Sequence, residues 1–249
     1  MSKRLDDLNL NGLKIYQETD YFCFGIDSVL LANFVESNST NNNIIDLCSG
    51  SGVISVIISA KKKYNKIISI ELQDEMFELL DKNIKLNDLD DKIIGIKSDI
   101  KDVYNIIKKL KNSINKDKVD IIVCNPPYKK VGTGVINENR VKYIARHEEM
   151  CKLEDIFKTS STLLKSKGKL YLVHKPDRLV DLFCLARKYN LEPKKIRFVQ
   201  PSYGKVPSIV LIEYIKDGGN ELKVLEPLIE YDEKGNYTKE ILNIYSYVK

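Results

Sequence analysis

Tryptophan is absent from the 249 residues, and no apolar run approaches the length of a membrane span. A transmembrane helix needs about 20 consecutive apolar residues. A membrane-spanning chain is therefore not expected, and Met1–Leu10 has no signal-peptide character. The five cysteines (Cys23, Cys48, Cys124, Cys151, Cys184) show neither CxxC nor paired spacing. That pattern argues against a disulfide framework or a zinc site and points to reduced thiols in a cytoplasm. Neither sign of charge dominates: 40 basic residues against 35 acidic ones leave +5. Such a balance permits a nucleic-acid partner without demanding one. A complete GxGxxG dinucleotide fingerprint is also missing.

What is present is enough apolar material, 43% of residues, for one large α/β unit. Strand-like runs alternate with helical periodicity. Strands are expected at Ile44–Cys48, Lys66–Glu71, Lys92–Lys97, Val119–Cys124, Lys169–His174, Lys195–Gln200 and Ser208–Lys216. Helices are expected over 53–62, 74–86, 100–111, 153–164 and 177–189. Strands separated by helices imply βαβ units, a mainly parallel sheet and helices on both faces. The short Pro201–Pro207 connection suits a hairpin, so the last strand should be antiparallel. Three regions are expected. Residues 1–43 form a β/α extension closing over the site, with a β-like piece over 13–24 and a helix over 27–36. Residues 44–217 form the main domain, and 218–249 a short β-containing tail packed on it.

Three motifs carry the chemistry. Asp46-Leu47-Cys48-Ser49-Gly50-Ser51-Gly52 joins a strand to a helix. Glycines there let the backbone approach a ligand at a helix N-terminus. Asp46 would repel a pyrophosphate but suit a ligand amino group, as in S-adenosylmethionine. A plain βα turn explains the glycines equally well. Glu71 ends the next strand, where an acidic side chain accepts ribose hydroxyls in nucleotide-binding sheets. Asp99 follows the third strand, as an adenine contact, a helix N-cap, or both. Asn125-Pro126-Pro127-Tyr128 ends the fourth strand and is the strongest signal, since two prolines mark a rigid turn at the carboxyl edge. The Asn125 side-chain carbonyl and the Pro126 main-chain carbonyl would accept the hydrogens of an exocyclic amine, and Tyr128 would stack on an extruded base.

These motifs, in this order, resemble the class I S-adenosylmethionine-dependent methyltransferases, and NPPY resembles the amino-methylating group among them. Further segments narrow the resemblance to the bacterial tRNA1(Val) adenine-37 N6-methyltransferase family. They are Leu5-Asp6-Asp7-Leu8 with Gly12-Leu13-Lys14-Ile15, Phe24-Gly25-Ile26-Asp27-Ser28-Val29-Leu30-Leu31-Ala32, Ala145-Arg146-His147-Glu148 and His174-Lys175-Pro176-Asp177-Arg178-Leu179. The likeness runs from about residue 5 to the tail. It implies a Rossmann-like seven-stranded sheet with an antiparallel last strand, and methyl transfer to N6 of adenine in a tRNA anticodon stem-loop. It places Asp46, Cys48, Gly50 and Gly52 at the methionine part of S-adenosylmethionine and Glu71 at the ribose. Asp99, Ile100 and Leu72 fall at the adenine, with Phe24 and Asp27 closing over the cofactor and Asn125 facing both it and the substrate.

Lys129, Lys130, Arg140, Lys142 and Arg146 near the NPPY turn, with Lys194, Lys195 and Arg197, are candidate phosphate contacts. A solvated basic surface is the competing explanation. No metal, membrane or obligate protein partner is expected. Other NPPY enzymes (rRNA guanine-N2 or release-factor glutamine methyltransferases) and a non-catalytic nucleotide- or RNA-binding module are the alternatives.

Overall fold

A computed structural model describes residues 3–18, 23–127 and 151–245. Tyr128, Lys129, Lys130, Arg140, Lys142 and Arg146 lie outside the described residues.

Two short strands come first. β1 (Lys3–Leu10) and β2 (Leu13–Glu18) pair antiparallel. Asn11 and Gly12 join them at positive φ, 49° and 79°. Asn-Gly in this position gives the tight turn whose twist matches the flanking strands. The expected β piece thus has a partner, and its free edge is closed from helix α3 (Asp74–Leu86). Asn87 accepts from the Lys14 N–H (2.9 Å) and donates to its carbonyl (2.7 Å). One turn earlier, Asn83 does the same for Tyr16 (2.7 and 3.0 Å) and also donates to the Ser51 carbonyl (2.9 Å). The buried Asn83 side chain therefore ties the hairpin to the glycine turn.

The main sheet contains β3 (Asn43–Leu47), β4 (Lys66–Glu71), β5 (Ile93–Lys97), β6 (Val119–Cys124), β7 (Leu164–His174), β8 (Leu191–Ser202) and β9 (Ile209–Lys216). Two tail strands, β10 (Lys223–Val224) and β11 (Leu228–Tyr231), bring it to nine. Its order is β10-β8-β9-β7-β6-β3-β4-β5, with β11 also on β8. β9 is antiparallel to both neighbours, and the other pairings are parallel. The runs NIIDL, KIISIE and VDIIVC are apolar on both faces because both faces are covered.

One face carries α1 (Ile26–Phe34), α2 (Val53–Lys61) and the inner side of α3; the other carries α4 (Val103–Ile114), α5 (Leu153–Leu163) and α6 (Leu179–Lys188). The first core also takes in Leu10 and Ile15 of the hairpin, Leu228 of β11, and Ile241 and Ile244 of α7 (Lys239–Tyr245). Both ends of the chain thus bury apolar groups in the same cluster as the sheet. No described helix is long and apolar enough to cross a membrane.

Candidate active site

Four parallel strands end on the same sheet edge, and each delivers one predicted segment there. After β3 the chain turns through Cys48, Gly50 and Gly52 at φ 57°, 56° and 83°. A methyl group on Gly52 would stand 2.5 Å from Leu80 Cδ1, and one on Gly50 would meet Met76 at 3.6 Å. Glycine at 52 is therefore required by backbone conformation and by close packing on α3. Cys48 adopts the same left-handed region without being glycine, and its Sγ lies 3.6 Å from Cys151 Sγ. The Cys124 thiol and burial push the Cys48 thiol up against an opposing contact from Cys151, and the Cys48 contact and burial push Cys151 up, which keeps both protonated.

Asp46 is fully buried beneath the turn. Its Oδ2 accepts from Ser55 Oγ (2.8 Å), whose oxygen lies 2.7 Å from Ser69 Oγ. Asp46 Oδ1 has no donor among the described residues. Burial pushes this carboxyl up to about 7, with the neighbouring Glu71 adding to the shift. The two serines were not singled out from the sequence. The visible signal was a polar residue inside each of two apolar runs, with Ser69 paired to Asp46 across the ladder.

Glu71 is buried, not solvent-facing. Its carboxylate accepts from Gly50 N (2.8 Å), Leu72 N (2.9 Å) and Gln73 N (2.9 Å). Burial raises its pKa and these three donors oppose that. Since a carboxylate offers about four acceptor sites, one remains for a ligand hydroxyl. Leu72 is half-buried beside it.

Asp99 forms a local turn, accepting from Lys101 N at 2.9 Å, and pairs with Lys101 Nζ at 3.4 Å. It is not the helix cap. Asp102 fills that role, accepting from Asn105 N (3.1 Å), so α4 starts at Val103 rather than Ile100. Ile100 is buried in the second core, and its carbonyl accepts from Thr159.

β6 ends at Cys124 and is followed directly by Asn125, Pro126 and Pro127. Asn125 Nδ2 donates to Ser28 Oγ (2.9 Å), a buried hydroxyl in the first turn of α1. That bond fixes which end of the carboxamide faces away from α1, and Asn125 Oδ1 keeps its acceptor capacity among the described residues. Ser28 lies 97 residues away in sequence, and no spacing rule pairs the two. Asp27 precedes Ser28 in α1, and Phe24, just ahead, packs on the first core.

Three predicted phosphate contacts are instead committed within the molecule. Lys194 Nζ donates to the Gly219 and Asn220 carbonyls (3.0 and 2.8 Å). Lys195 pairs with Glu36 (2.7 Å) and stands 3.6 Å from Glu213. Arg197 pairs with Glu240 (2.7 Å) and donates to the Glu226 carbonyl (3.0 Å). For Lys195 the cause is the buried Glu213, which also accepts from Tyr171 OH (2.6 Å) and pairs with Lys169 (3.0 Å), because a buried carboxylate needs cations and donors around it.

The mostly parallel sheet with one antiparallel strand is the Rossmann-like fold of the class I methyltransferases. Residues 30–131 match the family described as the TRM5/TYW2 methyltransferase domain. The chain is a homologue of the tRNA1(Val) (adenine(37)-N6)-methyltransferases. It is 28% identical to that protein of Porphyromonas gingivalis over 193 residues, covering 76% of this chain and 73% of the relative. It is 23% identical to the one of Flavobacterium psychrophilum, covering 92% of each. In structure it superimposes on a predicted O-methyltransferase, Atu636 of Agrobacterium tumefaciens, with a TM-score of 0.68 and 19% identity. That match covers 90% of this chain and 99% of the other.

Proposed function

We propose that this chain transfers the methyl group of S-adenosylmethionine to N6 of an adenine in tRNA, adenine 37 of a valine tRNA. The reading is supported by homology to enzymes of that name. The observation that carries it is Asn125, anchored through Nδ2 to Ser28 with its carbonyl left to accept.

The residues present fit the cofactor. Gly50 and Gly52 give the turn its left-handed backbone beside this edge, Asp46 Oδ1 lacks a donor, and Glu71 keeps one acceptor site beside three N–H bonds. Asp46 then receives a hydrogen from the methionine ammonium, directly or through a water, and Glu71 accepts a ribose hydroxyl. When bound, the cofactor supplies an electrophilic methyl group on its sulfonium. An exocyclic adenine amine is a weak nucleophile because its lone pair is delocalised into the ring. Asn125 Oδ1 and the Pro126 carbonyl accept its two hydrogens and hold the nitrogen toward tetrahedral geometry, with the lone pair aimed at the methyl. Tyr128 stacks on the extruded base. The methylated nitrogen then loses its proton to water. Lys129, Lys130, Arg140, Lys142 and Arg146 contact phosphate near the target base. Phe24 and Asp27 close over the cofactor from the N-terminal region, and the protein acts in the cytoplasm.

Asp46 gives this reading a pH signature. Its folded-state value, about 7, lies above the ordinary 3.8, so the stability tied to its protonated form is lost as pH rises through 7. An ammonium hydrogen at Oδ1 favours the ionised form. Cofactor binding below pH 7 should therefore release close to one proton, and affinity should rise between pH 6 and 8. Calorimetry in two buffers of different ionisation enthalpy measures this; equal heats in both would remove Asp46 from the ammonium site.

The function itself is tested by digesting tRNA after incubation with the protein and methyl-labelled cofactor. Label is expected in N6-methyladenosine. Label in N2-methylguanosine or in protein glutamine would overturn the reading.

A further inference from the structure

The turn between β8 and β9 holds the most exposed large apolar side chains of the described residues. Tyr203 is 88% exposed and Val206 84%. The turn is held in shape: Lys205 N donates to the Ser202 carbonyl (3.1 Å), Gly204 takes φ 74°, and Pro201 and Pro207 bracket it. β8 runs parallel to β6, because β9 is antiparallel to β7 as well as to β8. The turn therefore emerges on the same sheet edge as Asn125. Three interstrand steps, from β6 through β7 and β9 to β8, amount to roughly 14 Å. On the far side of β8, Tyr231 stands opposite Ser202 and stacks on Tyr237 with ring centroids 5.0 Å apart. Lys205 is exposed and its ammonium has neither a hydrogen-bond nor an ion-pair partner among the described residues, whereas Lys194 is held by two carbonyls and Lys195 and Arg197 are ion-paired.

We propose that this turn is a docking surface for the unpaired RNA nucleotides flanking the target base, with one base stacked on Tyr203 and an adjacent phosphate on Lys205. An exposed aromatic face takes any base, and a neighbouring ammonium takes the backbone, which together are the elements of single-strand recognition. Stacking on a preshaped turn avoids the cost of ordering a flexible loop on binding. The surface rests on the reading that the substrate is RNA and adds to it the place where the loop beyond the target base is held.

The test measures binding of a fluorescently labelled, unmodified anticodon stem-loop by the full chain, together with steady-state methylation. One base–aromatic contact corresponds to about 5- to 150-fold in affinity. Tyr203→Ala is expected to weaken binding within that range, while Tyr203→Phe binds within about twofold of the unaltered protein, since the ring is kept. The loss should appear in KM for RNA and not in KM for the cofactor. Lys205→Ala should reduce the salt dependence of RNA binding by about one charge. If the unaltered protein binds and methylates the stem-loop and Tyr203→Ala binds it equally well, the surface is wrong and the functional reading stands. If the unaltered protein binds no stem-loop, both fall. A change in sedimentation of Tyr203→Ala with unchanged RNA affinity would assign the turn to a second copy of the chain and overturn the proposal.

Discussion

Replacing Asn125 with alanine is expected to abolish methyl transfer while leaving cofactor affinity within about twofold of the unaltered protein. The carboxamide supplies one of two acceptors that hold the target amine, and its Nδ2 bond to Ser28 sets its orientation. Loss of one preorganised hydrogen-bonding group at a reacting centre costs about 10²–10³-fold in kcat. Here the loss should be larger, because the nitrogen also reverts to its planar, delocalised form. Asn125→Ala additionally leaves Ser28 Oγ without its Nδ2 donor, but a hydroxyl can turn to another partner, so the fold should tolerate the change. Single-turnover kinetics with saturating cofactor and tRNA is the appropriate readout. A rate within tenfold of the unaltered enzyme would reject the role given to Asn125. Ser28→Ala should follow in the same direction with a smaller loss, since it frees the carboxamide to rotate without removing it.

Glu71→Ala is the second large effect, and it differs in kind. The side chain closes three backbone N–H groups, of Gly50, Leu72 and Gln73, at the junction of the glycine turn and the start of α3. A hydrogen bond to a charged group is worth about 1.5–3 kcal/mol, and donors left buried without an acceptor cost more than the bond alone. The three are coupled, so the expected stability loss is about 3–5 kcal/mol rather than their sum. That is a large share of the total for a domain, about 5–15 kcal/mol. Cofactor affinity should fall at least tenfold, from the lost ribose acceptor and the loosened turn together. Glu71→Gln separates the two causes. It keeps one carbonyl acceptor for the N–H groups and presents an N–H₂ to the ribose. Denaturation midpoint and calorimetric Kd report them independently, and an unchanged Kd in both variants would leave Glu71 a purely structural residue.

Most of the central sheet was legible in the sequence because its strands are short, apolar and bounded by turn residues. Lys66–Glu71 and Val119–Cys124 occur with the bounds their patterns predict. The early start of β7 at Leu164 was hidden by Lys165-Ser166-Lys167-Gly168, which reads as a loop and contains Lys167 at φ 63°. β1 was obscured by Lys3, Arg4, Asp6 and Asp7, although the Asn11-Gly12 turn beyond it was a usable hairpin signal. The two-residue β10 is too short to carry any period.

The site divides along the same line. Asp46, Gly50, Gly52, Glu71 and Asn125 declared themselves because each ends a strand or sits in its turn. What surrounds them did not. The partners of Lys195 and Arg197 come from Glu36 and Glu240, distant in sequence, so a run of basic residues could not disclose that its charges were already paired. The Ser28–Asn125 bond and the Asn83 bridge from hairpin to glycine turn are likewise products of tertiary packing. The +5 net charge carried no site information in either direction.

The central claim concerns one base in one RNA. Its most direct test incubates the protein with labelled cofactor and an unmodified valine tRNA transcript, then maps the labelled nucleotide by mass spectrometry of nuclease fragments. One methyl group on N6 of adenine 37 is expected, with none on a transcript carrying guanine there. Label at another position, or equal labelling of the guanine-substituted transcript, would contradict the account.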